Sequence, residues 1–443
     1  MTGKPGMTTS TALLKSRRFL PLFVTQLLGA FNDNLFKNAM VLFVVYTVYS
    51  SEADEARFSA IASAVFVIPF FLLSALAGQL ADMRDKAVII RIVKLCEIVI
   101  MLVGGAGLAL AWQGIATQTL AIPLMLLALF AMGVHSTFFG PIKYAILPQH
   151  LDRETVLAGT GLVEAGTYIA ILAGTILAGW ISVEASAVCV IAFALLGYLS
   201  SRYVPPALPE IAPEPLDFHI VRASWTLVRR TMEDRRVFIA ILAISFFWAI
   251  GAILFIQFPP LAKNVLSASK EVASLFLVMF SVGVAIGSIA INALLKGTVS
   301  ARHSPAAVIA MAVFLVLFQM VCRAWNQQTG PELMDVAAFM SHPLAIPLLL
   351  TLLMIAVSGG MFVVPLYAFL TTFVDRSQTA RTVAANNIVN SGAMVIGSLV
   401  AVGLTAIGIP IIDQLLFVAL FCAGAAWLGR MLWQAELAAA PSA

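Results

Sequence analysis

Residues 19–49 read FLPLFVTQLLGAFNDNLFKNAMVLFVVYTVY, an apolar run with Asn32, Asp33 and Asn34 set into its middle. As a helix rising about 1.5 Å per residue, it carries Asp33 roughly 21 Å inward from Phe19. That is past the midpoint of a hydrocarbon core about 30 Å thick. An unpaired carboxylate at that depth costs at least about 2.5–3.5 kcal/mol, so it must pair, neutralise or face water. Lys37, one turn on, is the nearest local partner. Two readings follow: an ion pair that only holds the helix in its bundle, or a site on a solute pathway, the default role of an intramembrane charge.

The rest of the chain extends this membrane pattern. Of its 443 residues, 61% are apolar and only 11% charged, and the mean hydropathy is +0.99, far from the balance of soluble domains. Twelve apolar stretches lie near 19–49, 57–81, 87–112, 120–148, 155–182, 184–203, 236–266, 271–296, 303–325, 343–374, 378–406 and 410–435. Each is long enough to cross a bilayer as a helix, which satisfies its own backbone where water is absent. The expected fold is therefore an all-α polytopic membrane protein with twelve transmembrane helices. Its narrowest separations are Ile181–Glu184 and Gly408–Pro410.

Charge placement sets the orientation. With the N-terminus inside, eighteen lysines and arginines fall on inner segments, and only Arg57, Lys263, Lys270 and Arg323 on outer ones. This positive-inside bias places both termini in the cytoplasm, and it accounts for the net charge of +4 without nucleic acid. Residues 1–18 lack the short apolar core and cleavage site of a signal peptide, so the first helix is expected to serve as its own insertion signal. Cys96, Cys189, Cys322 and Cys422 fall singly in the spans and read as packing residues, without metal spacing.

Residues 204–235 divide the chain into an N-terminal six-helix bundle (1–203) and a C-terminal one (236–443). The first part of this linker is made extended by Pro205, Pro206, Pro209, Pro213 and Pro215; the second mixes Phe218, Val221 and Trp225 with Arg222, Arg229 and Arg230. That mixture predicts a helix on the anionic inner leaflet. A weak internal repeat supports a 6+6 layout. Pro141, Asp152-Arg153 and Gly174 recur, with one gap, as Pro365, Asp375-Arg376 and Gly397. Parallel halves of this kind occur in twelve-helix carriers, with helices one, four, seven and ten expected around the cavity.

Between spans two and three stands Gly78-Gln79-Leu80-Ala81-Asp82-Met83-Arg84. It resembles the G-x-L-x-D-R signature of the major facilitator superfamily, with Met83 at the usual arginine and Arg84 one place later. Gly78 would let helices two and eleven approach, and Asp82 would meet the positive end of helix eleven near Gln378–Arg381. Gly78, Asp82 and Arg84 are the expected gating residues; an ordinary charged turn is the alternative.

Four further motifs resemble the lysophospholipid transporter family within that superfamily. They are Gly29-Ala30-Phe31-Asn32-Asp33-Asn34, Gly140-Pro141-Ile142-Lys143-Tyr144-Ala145-Ile146-Leu147, Gly161-Leu162-Val163-Glu164-Ala165 and Gly359-Gly360-Met361-Phe362-Val363-Val364-Pro365-Leu366. Together they span roughly residues 19–430. The resemblance implies a secondary carrier that flips substrates such as lysophosphatidylethanolamine to the cytoplasmic leaflet of a bacterial inner membrane. A separate acyltransferase acting in trans would then reacylate the product. Asp33, Asn34, Lys143, Tyr144 and Glu164 are expected to line the polar part of the cavity, with Lys143 reaching Glu164. The family's arginine in the seventh helix is replaced here by Phe255, so no headgroup role for it carries over.

Other polar residues read as structural or undecided. Lys94 and Glu97 suit an intrahelical pair, His135 suits packing or a weak polar contact, and Asn386, Asn387 and Asn390 suit either cavity lining or interhelical contacts. No histidine is followed at the fifth place by aspartate, and no P-loop pattern occurs, so neither an acyltransferase nor an ATPase is indicated and no cofactor is expected. The alternative function is a proton-coupled exporter of apolar or cationic drugs, with Asp33 as the proton site. A lipid carrier also needs a side opening, expected between helices five and eight, where Gly161, Gly166, Gly174, Gly283 and Gly287 thin the wall, or between helices two and eleven, at Gly392 and Gly397; simple helix contact is the alternative role of these glycines.

Overall fold

A run of about twenty apolar residues can satisfy its backbone inside a bilayer only as a helix or a closed barrel. The computed structural model describes residues 12–48, 52–209, 211–212, 214–326 and 333–439, and the predicted spans are helices. The first six are α1 (Leu20–Phe43, continued by a π-turn over Val44–Val48), α2 (Glu52–Met83), α3 (Lys86–Trp112), α4 (Ile122–Ala145), α5 (Val156–Trp180) and α6 (Val183–Ser201). The second six are α7 (Arg235–Pro260), α8 (Lys270–Leu295), α9 (Ser304–Asn326), α10 (Ala345–Phe373), α11 (Thr379–Ala406) and α12 (Ile411–Ala439). A separate linker helix covers Ile220–Thr231.

The narrow separations are real breaks. Ser182 caps α6 by accepting from the Ala185 amide at 3.3 Å, and Gly408 turns the chain before α12 at φ +84°, a left-handed conformation that favours glycine. Asp85 and Asp234 cap α3 and α7 in the same way, at 2.9 and 2.8 Å.

Ten of the described helices are apolar enough by length and composition to cross a membrane. The other two of the twelve, α1 and α3, have the length but carry Asn32, Asp33, Asn34 and Lys37 on α1 and Lys86, Arg91, Lys94 and Glu97 on α3. On α3 the pattern is inverted relative to a soluble helix. Ile92, Leu95, Val99 and Leu102 are exposed along one stripe, whereas Lys94 and Glu97 are fully buried on the opposite face. Lipid is the solvent for the first face, and the bundle interior shelters the charges. Cys96 lies on the exposed side, not in the packing interior expected of it; Cys322 and Cys422 are buried.

Helix pairing repeats along the chain. The contacts α1–α5, α2–α4, α3–α6, α3–α4 and α1–α6 recur six helices later as α7–α11, α8–α10, α9–α12, α9–α10 and α7–α12. Across the halves, α2 meets α11 and α5 meets α8. The glycines expected to thin the side walls mostly serve contacts within one half. A Cβ on Gly166 would meet Phe23 and Gln26 of α1 at 2.7 and 2.8 Å, and one on Gly174 would meet the Phe31 carbonyl at 2.4 Å. On Gly283 and Gly287 it would strike Leu353 O and Val357 O of α10 at 2.7 and 2.0 Å. Only Gly161 touches the opposite half, at Ser288 O. Bulk at Gly166 or Gly283 would therefore overpack a bundle and not block an opening.

Candidate functional site

The polar residues of α1 divide between two faces, because consecutive residues on a helix point about 100° apart. Asn32 is fully buried in the N-terminal half. Its amide donates to Glu97 Oε1 at 3.0 Å and to the Val190 carbonyl of α6 at 3.1 Å. The other Glu97 oxygen pairs with Lys94 and lies 3.1 Å from His135 Nε2 on α4. The Lys94–Glu97 pair was legible from spacing. His135 makes a polar contact to a buried carboxylate that its sequence spacing did not reveal, because Glu97 comes from another helix.

Asp33 lies half-buried on the next face. Its Oδ2 accepts from the Ser136 hydroxyl at 2.6 Å. Ser136 follows His135 on α4, so adjacent residues on each helix serve an interior network and a central site. The expected Asp33–Lys37 pair is absent; Lys37 Nζ sits 5.7 Å from the centre of the Phe66 ring on α2. Asn34 turns aside, donating to the Ala30 carbonyl of its own helix at 2.8 Å.

Seven residues beyond Ser136, on the same face and about 10.5 Å along α4, Lys143 is half-buried. It reaches Thr167 Oγ1 at 3.5 Å, and Thr167 donates to Gln26 Oε1 at 3.0 Å. The expected Lys143–Glu164 ion pair does not form, because Glu164 instead accepts from the Tyr144 hydroxyl.

The Tyr144 ring stacks on Tyr367 of α10, with centroids 4.8 Å apart. Tyr367 Oη accepts from Trp248 Nε1 of α7 at 2.8 Å and from Asn390 Nδ2 of α11 at 3.3 Å, while Asn390 Oδ1 accepts from Ser245 at 2.8 Å. Residues of both halves thus close the centre beneath Asp33 with an aromatic and amide floor. Asn390 acts as interhelical contact, whereas Asn387 faces Gly140 across the centre. Ser136, Thr167, Gln26, Trp248 and Tyr367 escaped the sequence reading. Only Ser136 left a usable signal, its seven-residue spacing from Lys143. Phe255 packs edge-on against Phe280 at 5.1 Å, inside an apolar cluster with Phe258 and Phe276.

On the linker side the two halves are clasped. Asp82 is fully buried and accepts from the Ala380 and Arg381 amides at 3.0 and 3.1 Å, at the start of α11. A Cβ on Gly78 would stand 2.7 Å from Ala384 Cβ and 3.0 Å from Arg381 Cα, so only glycine permits this approach. Arg84 is exposed and makes none of these contacts.

The linker is tied to the clasp. Ala207 donates to Asp85 at 2.9 Å, Asp217 to Gln79 at 3.2 Å, and Arg381 lies 3.6 Å from Glu214. Its helix packs on α2 and α11, leaving Phe218, Val221 and Trp225 exposed. Outside the spans, the backbone N–H of His219, with Arg222 beside it, holds the Asp217 carboxyl below its ordinary range. Burial pushes the His150 imidazole down.

The described helices match known proteins along nearly their whole length. The lysophospholipid transporter LplT of Serratia proteamaculans is 26% identical over 410 residues, covering 88% of this chain and 89% of that protein. LplT of Cronobacter sakazakii is 26% identical over 405 residues, covering 88% and 90%. In fold the chain is similar to the human organic anion transporter MFSD10 (TM-score 0.69, 15% identity, covering 94% and 99%). It is likewise similar to a bacterial homologue of the iron transporter ferroportin (TM-score 0.67, 13% identity, covering 94% and 99%). The Major Facilitator Superfamily profile matches residues 22–398; with its paired six-helix pattern and α2–α11 clasp, the chain is a membrane transporter that belongs to that superfamily.

Proposed function

We propose that the chain is a secondary carrier that flips lysophospholipids such as lysophosphatidylethanolamine to the cytoplasmic leaflet of a bacterial inner membrane. It does so by alternating access of the two six-helix halves (1–203 and 236–443), with both termini and the 204–235 linker cytoplasmic. The observation that carries this reading is that Asp33, Lys37 and Lys143 are half-buried, with no ion pair joining them among the described residues. A zwitterionic headgroup supplies what each lacks: an ammonium for Asp33 and a phosphodiester for the lysines. Tyr144 and Glu164 brace the floor, and Asn34 has only a supporting place on α1. The similarity to LplT over most of the chain agrees with this cargo.

The acyl tail needs a different path. Exposing a chain of about sixteen carbons to water costs about 0.8 kcal/mol per CH₂, on the order of 12 kcal/mol in all. It therefore stays in lipid and enters from the side. The half of α11 away from the clasp favours the α2–α11 seam, since a Cβ on Gly392 would meet no other helix within 4 Å and Ile396 and Leu399 are exposed. An acyltransferase acting in trans would then consume the product.

The test is uptake into proteoliposomes, comparing lysophosphatidylethanolamine with cationic drugs, with and without a proton gradient. Lysolipid transfer without covalent turnover is expected. Drug movement driven by the gradient, without lysolipid transfer, would establish the exporter instead. For gating, Asp82→Asn removes a charge worth up to about 2 kcal/mol at a partly buried helix end. The inward–outward balance should shift up to roughly thirtyfold, read by cysteine accessibility on each face. An unchanged balance would reduce the motif to a charged turn.

A further inference from the structure

The repeated Asp-Arg dipeptides, Asp152-Arg153 and Asp375-Arg376, take no part in the site above. They follow α4 and α10, the equivalent helices of the two halves, on the linker side. Between them lies a cavity of about 400 Å³ lined by Arg18, His150, Asp152, Arg153, Thr371 and Arg376. Residues of the N-terminal half form one wall, and Thr371 and Arg376 of the C-terminal half face them. The three arginines are exposed, and none belongs to an ion pair among the described residues, although other arginines do, such as Arg222, Arg323 and Arg381. Asp152 is the single carboxylate in the lining.

Three guanidinium groups around one cavity repel each other, and they do so across the seam that closure must hold. A guanidinium fork matches a phosphate oxyanion in a bidentate way. An anion there would replace repulsion with a bridge from Arg18 and Arg153 in one half to Arg376 in the other. We propose that this cavity binds a phosphate-class oxyanion, either a soluble phosphate or an anionic lipid headgroup, and that the bound anion holds the two halves together on the linker side.

The full chain tests this through a reporter at the clasp. Thr379 is buried at the start of α11. With the native cysteines replaced, Thr379→Cys should react with an impermeant maleimide only when the clasp opens. In detergent micelles, inorganic phosphate should slow labelling several-fold relative to sodium chloride at equal ionic strength, and should raise the melting temperature. The pair Arg153→Gln and Arg376→Gln should lose both effects, whereas Arg302→Gln, an exposed arginine elsewhere on that side, should keep them.

Nanodiscs of phosphatidylcholine with or without phosphatidylglycerol separate the two sources. An effect of phosphatidylglycerol but not of free phosphate, lost in the double variant, assigns the site to a lipid headgroup. An effect of free phosphate assigns it to a soluble anion. Equal slowing by chloride, retention in the double variant, or no response to either anion would overturn the proposal. These readouts report closure and not transport, so their failure leaves the lysolipid reading standing.

Discussion

Glu97→Ala should destabilise the protein by about 3–5 kcal/mol, the usual cost of removing one partner of a buried ion pair. Lys94 is fully buried, with Glu97 as its counterion. The same carboxylate accepts from Asn32 and sits beside His135. Removing it leaves an ammonium, an amide and an imidazole facing one another with no water to replace the lost oxygens. Thermal unfolding in detergent and the yield of folded protein in membranes both read this loss. The double variant Lys94→Met, Glu97→Leu should recover most of it, because replacing a buried pair by apolar residues is often neutral or favourable. If the single variant melts like the parent, the network is not what holds α1, α3 and α4 together. In the C-terminal half the α7–α12 contact, the counterpart of α1–α6, is made without charge: Gln257 of α7 donates to Gln414 of α12 at 2.8 Å. The penalty should therefore be confined to one half.

Asp33→Ala should cut lysolipid uptake at least tenfold while leaving the melting temperature near that of the parent. A hydrogen bond to a charged group contributes about 1.5–3 kcal/mol, roughly ten- to a hundredfold in rate or affinity. Among the described residues Asp33 is held by Ser136, so truncation strands one small hydroxyl and not a buried charge. Asp33→Asn retains an oxygen for Ser136 but loses the charge. It should be nearly as impaired if the ammonium of the headgroup is what Asp33 recognises. Ser136→Ala should be milder than either. Near-normal uptake by Asp33→Ala would remove this residue from the mechanism.

The fold was legible because lipid imposes a simple rule. Apolar runs become helices, and Gly408-Ile409-Pro410 breaks them where left-handed backbone and a missing amide require it. Partnerships within one helix were legible too, as with Lys94 and Glu97. Contacts between helices were not. Lys37 is the correct spacing from Asp33, yet tertiary packing sends it to Phe66 and brings Ser136 to the carboxylate. Glu164 and Lys143 were matched by depth alone, which carries no azimuth, and the Tyr144 hydroxyl takes the place assigned to the lysine. Gly166, Gly174, Gly283 and Gly287 serve helix contacts within one half and not a thin side wall; a sequence does not say which neighbour each glycine admits.

Asp82 recognises the opposite half chiefly through the main-chain N–H groups of Ala380 and Arg381, with the Arg381 Nε 3.7 Å away as a looser ion pair. Every residue except proline offers the same N–H, so a change of side chain at position 381 costs the ion pair but leaves the two main-chain bonds in place. Aligned sequences should consequently show only weak co-variation of Asp82 with position 381, although it joins two surfaces 298 positions apart. A saturation scan should expose the hidden partner in one way. At position 381 most replacements should weaken the junction slightly by removing the ion pair, and proline, which also removes the amide, should act as though Asp82 itself had been lost.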